Sequence, residues 1–179
     1  SDSVYVGGVV GWFNAIREAS IEGCVNMGSV SFEGDNTRPD GQSIYPGTSI
    51  GGIFGGCTAS SHGCFAVNCA NYGRITKAGA GSTFPYIGGI VGLFRNDGVA
   101  TSTALIKGCT NHGYLDDRSL SQECIYIGGV VGRAFAGTSV EGCVNFGSFS
   151  RYSDKGQYTG TGGIIGNGFD SGVQVSKSY

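Results

Sequence analysis

Little in this sequence is charged, and still less is proline, methionine or tryptophan. Asp, Glu, Lys and Arg make up 13% of the residues, beside three prolines, one methionine and one tryptophan. Acids and bases are interspersed and the formal net charge is −2, so the chain offers no basic face to nucleic acid and no polybasic segment to an anionic membrane. No apolar run approaches the ~20 residues that cross a bilayer, which sets membrane insertion aside. No secretory leader is read ahead of Ser1, and the chain is expected to be mature or excised. An HExxH motif is missing, and zinc-peptidase chemistry with it. Sustained helical periodicity is missing as well. Residues 12–20 come nearest, but the stretch is too short for an independent helix, and it is expected to be a loop holding at most one turn. Collagen and disorder are excluded by composition, since 40% of residues are apolar and glycine follows no strict triplet.

What is abundant is glycine, 35 of 179 residues, and its placement is repetitive. The stretch Tyr86-Ile87-Gly88-Gly89-Ile90-Val91-Gly92 recurs, almost letter for letter, at 5–11, 49–55, 126–132 and 160–166. A second motif follows it, Ile21-Glu22-Gly23-Cys24-Val25-Asn26-Met27-Gly28-Ser29-Val30, with later versions at 66–75, 106–115 and 140–149. A fifth version is read from Val173, with Ser176 at the cysteine position and Ser178 at the asparagine position. Self-similarity at this period marks one supersecondary unit stacked on copies of itself.

Short β-branched stretches with tight glycine corners, and no helical pattern, predict an all-β fold. The specific expectation is a parallel β-solenoid of four complete coils and one partial coil, forming a single domain over 1–179. The units run at about 4–48, 49–85, 86–125, 126–159 and 160–179, with two strands each. Length varies only at two rim points. The stretches 76–85, 116–125 and 150–159 match in length, whereas 31–48 carries an insertion with the turn-forming Asp35, Arg38 and Asp40.

Stacking turns equal positions into columns along the axis. Val6, Ile50, Ile87, Ile127 and Thr161 are expected to form one interior column, Val30, Ile75, Leu115 and Phe149 a second, and Val9, Ile53, Ile90, Val130 and Ile164 a third. Asn26, Asn71, Asn111 and Asn145 are expected to form a structural ladder of amides, with left-handed backbone at their corner. Gly28, Gly73, Gly113 and Gly147 would relieve the next corner. Cys24, Cys69, Cys109 and Cys143 align too. A bend at Gly23 turns them inward as small core thiols, whereas strict alternation would put them outside.

Cys57 and Cys64 stand outside the cysteine column and close together, which favours a disulfide between them. With His62 and Cys69 they also form the one cluster of ligand-like residue types, though its spacing departs from the usual zinc patterns; no metal or cofactor is assigned. Cys124 stands alone, free or joined to another chain. Asp116 and Asp117 adjoin in a linker, where extended backbone would point them apart; the acids are otherwise scattered, and no catalytic residue is assigned. Lys107 is expected to pair with Glu141 across one coil step. Tyr5, Tyr86 and Tyr126 read as a solvent-edge aromatic ladder.

The motifs Gly-Gly-Ile-Val-Gly and Ile-x-x-Cys-x-Asn-x-Gly-x-Ile resemble GLUG-type repeats of large bacterial surface proteins. Such repeats also accompany immunoglobulin A-cleaving metallopeptidases as noncatalytic segments. The resemblance covers nearly the whole chain, with longer coils than usual and a cysteine in every complete unit. It implies a β-helical, extracellular module that is adhesive or scaffolding, with a glycan or a host surface as the partner class of an adhesive version.

The functional expectation is a non-enzymatic subunit of an extracellular fibre or appendage. It would self-associate head to tail, with Val4, Val6 and Val10 of one copy set against Ile164, Val173 and Val175 of the next. A stalk or adhesive repeat module of a cell-surface protein is the alternative, and a polysaccharide-active β-helix enzyme the third reading.

Overall fold

The structure is a computed structural model that describes residues 3–15, 17–34, 47–59, 63–79, 84–96, 103–119, 125–152, 159–168 and 172–179. Asp35, Arg38, Asp40, His62 and Cys124 lie outside the described residues. Described strands stack in five parallel sheets, each a face of one solenoid. Face A holds Val4–Gly7, Thr48–Gly51, Tyr86–Gly88, Ile125–Gly128 and Thr159–Gly162. Face B holds Val10–Ala15, Phe54–Ala59, Val91–Asn96, Val131–Ala134 and Ile165–Gly168. Face C holds Ala19–Glu22, Cys64–Val67, Ala104–Lys107, Thr138–Glu141 and Gln174–Ser176. Face D holds Val25–Asn26, Ala70–Asn71, Thr110–Asn111 and Val144–Asn145; face E holds Val30–Glu33, Ile75–Gly79, Leu115–Ser119 and Phe149–Arg151. No helix of the described residues is long and apolar enough to cross a membrane.

A complete coil therefore carries five strands rather than the two expected. The extra strands come from stretches that read as connections: Trp12 to Ala15 belongs to face B, and the residues after Ile75 and Leu115 continue face E. In the stretches after Ile75 and Leu115 polar side chains concealed the strands, because a strand hydrogen-bonded on both sides needs no apolar alternation to persist.

The expected columns form in register. Val6 pairs with Ile50, Ile50 with Ile87, Ile87 with Ile127 and Ile127 with Thr161. Val30, Ile75, Leu115 and Phe149 pair in the same way. Val9, Ile53, Ile90 and Val130 each donate a backbone hydrogen bond to the equivalent residue one coil on, ending at Ile164. Burial holds for the inner coils and fails at the ends, where Val9, Thr161 and Phe149 are exposed.

Two apolar clusters fill the interior, one with Ile53, Ile90 and the buried cysteines, the other with Ile50, Ile75, Ile87 and Leu115. Between them runs the asparagine column. Asn26 Nδ2 donates to Asn71 Oδ1 at 2.8 Å, Asn71 to Asn111 at 2.9 Å, and Asn111 to Asn145 at 2.9 Å. Each amide also closes on the glycine two residues later. Asn71 accepts from Gly73 N at 3.2 Å and donates to Gly73 O at 3.0 Å. Asn71 and Asn111 thus make all four hydrogen bonds open to an amide.

Room for the ladder comes from the other motif. A Cβ on Gly89 would lie 2.1 Å from Gly129 O and 2.4 Å from Asn111 Cγ, and one on Gly52 would lie 2.4 Å from Asn71 Cγ. The second glycine of the Gly-Gly pair and the asparagine of the second motif are complementary surfaces of one coil.

The left-handed corner falls elsewhere than expected. The asparagines of the ladder do not occupy it; positive φ belongs to the residue before each cysteine, at Gly23, Asn68, Gly108, Gly142 and Lys177. That twist turns the next side chain inward, so Cys69, Cys109 and Cys143 are buried and Cys24 half-buried. Cys109 Sγ donates to Lys107 O and Ala66 O, both at 3.5 Å, and Cys69 and Cys143 do likewise at their own levels. Contact with the Cys143 and Cys69 thiols, then burial, pushes the Cys109 thiol far up, and it stays neutral.

The last coil is shifted from its expected register by two residues. Val175 pairs with Val140 and Ser176 with Glu141. Ser178, not Ser176, then takes the cysteine place, where its hydroxyl accepts from Cys143 N and donates to Ser176 O. Alignment by letters had matched Ser176 to the cysteine; the Lys177 left-handed corner sets the true register.

Candidate functional site

Face E does not end with its apolar column. Two residues beyond it, Phe32, Lys77, Asp117 and Arg151 pair in register from coil to coil. Extended backbone returns every second side chain to the same face, so the chain builds a column of one aromatic ring and three charges. Lys77 and Asp117 are buried. Lys77 lies over the Phe32 ring at 5.2 Å and donates to Gly34 O at 3.2 Å and Ala78 O at 2.7 Å.

Asp117 is held by one oxygen only. Its Oδ1 accepts from Ser119 N at 3.0 Å and from Ser119 Oγ at 2.6 Å, while Oδ2, though buried, accepts no hydrogen bond. Arg151 mirrors it, with Nε and one terminal nitrogen buried and donating none. Burial pushes the Asp117 carboxyl above its ordinary range, against the Ser119 hydrogen bonds and the charges of Arg151 and Lys77.

Asp116 points the other way, as extended backbone requires, and is fully engaged. Arg74 and Arg118 both donate to Oδ2, the latter at 2.6 Å, and Ser150 Oγ donates to Oδ1 at 2.8 Å. Burial alone would raise this carboxyl, but the hydrogen bonds from Arg74, Ser150 and Arg118 outweigh it and hold the group below the ordinary range.

These residues bound a cavity of about 580 Å³, lined by Gly79, Asp116, Asp117, Arg118, Ser150, Arg151 and Tyr152. Tyr152 N donates to Asp117 O at 2.9 Å, which seats the tyrosine at the rim. Asp116 and Asp117, expected side by side in a linker with their side chains apart, stand on the strand Leu115–Ser119 beside Arg118, with Arg151 on the strand of the next coil. Arg151, Tyr152 and Lys77 were not singled out beforehand. Their signal was positional: they occupy equal places in stretches of equal length, and chemistry that changes from unit to unit there hides in an alignment built on identity.

The cysteines outside the column also occupy repeat positions. Cys57 pairs in register with Phe13 and Phe94, and Cys64 with Ala19 and Ala104. They are joined in a disulfide, both buried, and this bond fills in the second coil the space that a phenylalanine and an alanine fill in its neighbours. Among the described residues no group of three or more His, Cys, Asp or Glu is placed to hold a metal ion.

The expected solvent-edge ladder of tyrosines holds only in part, with Tyr5 and Tyr126 half-buried. Tyr86 is fully buried, stacked on Tyr126 at 5.9 Å, and its hydroxyl accepts from Arg133 at 2.7 Å. The Arg133 guanidinium also lies over Phe135 at 4.7 Å. A true exposed aromatic column stands where none was expected, after the asparagines. Tyr72 stacks on His112 at 4.6 Å and His112 on Phe146 at 4.8 Å, nearly parallel. His112 is covered on both faces, so this stack zips three coils together, with Tyr72 and Phe146 each covered on one face by it. Lys107 meets Glu141 at 3.5 Å, exposed, as expected.

No protein-family model, no curated protein and no solved structure matches this chain.

Proposed function

We propose that this chain is a non-enzymatic structural β-solenoid subunit of an extracellular fibre or appendage, joined to its neighbours head to tail. The supporting observation is the state of the two outer coils. Val9 is 44% exposed where Ile53, Ile90 and Val130 are sealed at 0%. Phe149 is 40% exposed where Ile75 is at 0%, and Val175 50% where Ile106 is at 0%. Among the described residues, the outermost strands of faces A, B, C and E pair on one side only, a template for further strands, while on face D Tyr179 closes on Cys143 and Asn145. Val4, Val6 and Val10 lie along one such edge and Ile164, Val173 and Val175 along the other. The two ends differ, so contact between copies is heterologous and continues instead of closing.

The Cys57–Cys64 disulfide favours an oxidising compartment, and the likeness of the two motifs to GLUG-type repeats favours a bacterial surface. A stalk or adhesive module, in which the covering coils belong to the same polypeptide, draws on the same exposed edges. Electron microscopy and light scattering of this chain at rising concentration separate the two. Filaments with a repeat equal to the solenoid length support self-assembly; a stable monomer with ordered outer coils overturns it and leaves the module reading.

A further inference from the structure

The thiol column opens on solvent at one end. Cys69 is 1% exposed and Cys109 and Cys143 0%, whereas Cys24, on the outermost coil, is half-buried. Around it Glu22, Gly23, Val25 and Met27 are exposed, so a reagent shut out from the three inner sulfurs can reach this one. Its thiol is held only weakly, donating to Glu22 O at 3.7 Å.

Cys69 stands one coil step away and in line. Glu22 pairs with Val67 and Val25 with Ala70, so the two cysteines lying between those pairs are in step, and Ala70 N donates to Cys24 O at 2.9 Å. Paired strands lie about 4.8 Å apart, inside the Cα separation of about 4.4–6.8 Å that a disulfide spans. Both side chains turn inward after a left-handed residue, Gly23 and Asn68. Cys69 Sγ already leans toward the first coil, where it donates to Ile21 O at 3.6 Å. Closing this corner does not require sulfur. In the last coil Ser178 closes it with a hydroxyl that accepts from Cys143 N and donates to Ser176 O.

We propose that Cys24 and Cys69 form a thiol–disulfide exchange site, through which a small oxidised thiol locks the first coil onto the second. The co-reactant is a low-molecular-weight disulfide of the glutathione class. Cys24 Sγ attacks one of its sulfurs, a mixed disulfide forms, and the S–S bond of the reagent breaks, releasing one thiol with the Cys24 proton. Cys69 Sγ then attacks the Cys24 sulfur, and the second thiol leaves with the Cys69 proton. Two protein thiols are oxidised and one reagent disulfide is reduced. Cys109 and Cys143, sealed in the core, stay as thiols. The site belongs to a single chain and does not rest on assembly into a fibre.

The test equilibrates the whole chain in glutathione buffers of falling reduced-to-oxidised ratio, quenches it in acid, unfolds and alkylates it, and maps the peptides by mass spectrometry. Peptides carrying Cys24 and Cys69 should be joined, with Cys109 and Cys143 alkylated. Cys69→Ser, which copies the residue of the last coil, should stop the reaction at Cys24 with glutathione attached. Cys24→Ser should leave Cys69 a thiol in the folded chain. In the joined form the amide hydrogens of Ala70 and Tyr72, bonded to Cys24 O and Asn26 O at 2.9 Å each, should exchange about tenfold more slowly or better. Both serine variants should keep the cooperative thermal transition of the parent; where either loses it, the peptide map of the parent chain decides. Alkylation of Cys24 and Cys69 in every buffer, a glutathione adduct that persists at Cys24 in the parent chain, a bond from either cysteine to any other residue, or amide exchange unaltered by the bond would each overturn the proposal.

Discussion

The asparagine column on face D repeats one residue in four coils, and the column on face E that starts at Phe32 repeats none. Both run parallel to the axis and both bury polar side chains. In the first, each inner amide has two donors and two acceptor positions and uses all of them. In the second, Lys77 reaches carbonyl groups, but Asp117 and Arg151 keep buried atoms without hydrogen bonds. Identical side chains one coil step apart can satisfy one another without limit, since every copy presents what the next requires. A column of different charges has no such rule, and some of its buried groups go unmet. Repetition here marks what holds the coils together, and its failure marks where buried polar atoms lose their partners.

The contrast breaks most severely at Gly89. Gly89→Val drives a side chain into Gly129 O and the Asn111 amide, and should destabilise by about 4 kcal/mol or more, read as loss of the cooperative thermal transition. Asn111→Ala comes next. It strands Gly113 O and takes one of two hydrogen bonds from each of Asn71 Nδ2, Asn145 Oδ1 and Gly113 N, with an expected loss of about 3 kcal/mol or more in denaturant unfolding. Reducing the Cys57–Cys64 bond should cost about 2 kcal/mol. The paired change Cys57→Phe with Cys64→Ala, copying the first and third coils, should recover stability to within about 1.5 kcal/mol of the oxidised protein. Alkylation without reduction should leave both cysteines unmodified even under denaturing conditions. The smallest effect is at Lys107, where removing an exposed ion pair should change stability by at most about 1 kcal/mol.

Acid titration separates the two neighbouring aspartates by sign. Asp117 titrates above its ordinary range in the fold, so it contributes stability below the unfolded value and loses it as pH rises through the folded one. Asp117→Asn should match wild type in acid and exceed it at neutral pH. Asp116 titrates below its ordinary range; its contribution is present above the unfolded value and disappears as pH falls through the folded one. Asp116→Asn should therefore cost stability at neutral pH and little in acid.

The scaffold could be read from the chain because its physics is repetitive. Columns such as Ile50–Ile87–Ile127 and the asparagine ladder need identical neighbours, and identity is visible in one sequence. The inward thiols followed from one bend, although the left-handed residue proved to be Gly23 and its equivalents and not the asparagine. Ser176 and Ser178 were misplaced because two serines alternate there and only the Lys177 corner distinguishes the registers. The strand of residues 12–15 was hidden in a stretch that reads as the most helix-like of the chain, and that of 116–119 by its polar side chains, which also hid the column of charges. Nothing local in Asp117 or Arg151 shows that they are one coil step apart; that follows only once face E is extended beyond its apolar residue. Tyr86 read as an edge because its cover, Arg133, is remote in sequence.

One exchange of chemistry between the two columns tests the account most directly: Asn111→Asp, which sets a charge into the complete ladder, against Asp117→Asn, which removes one from the incomplete column, compared by thermal unfolding at neutral pH. The account predicts a large fall in Tm for Asn111→Asp and an unchanged or higher Tm for Asp117→Asn. Comparable losses in both would contradict it, since the charged column would then be a structural ladder like the other.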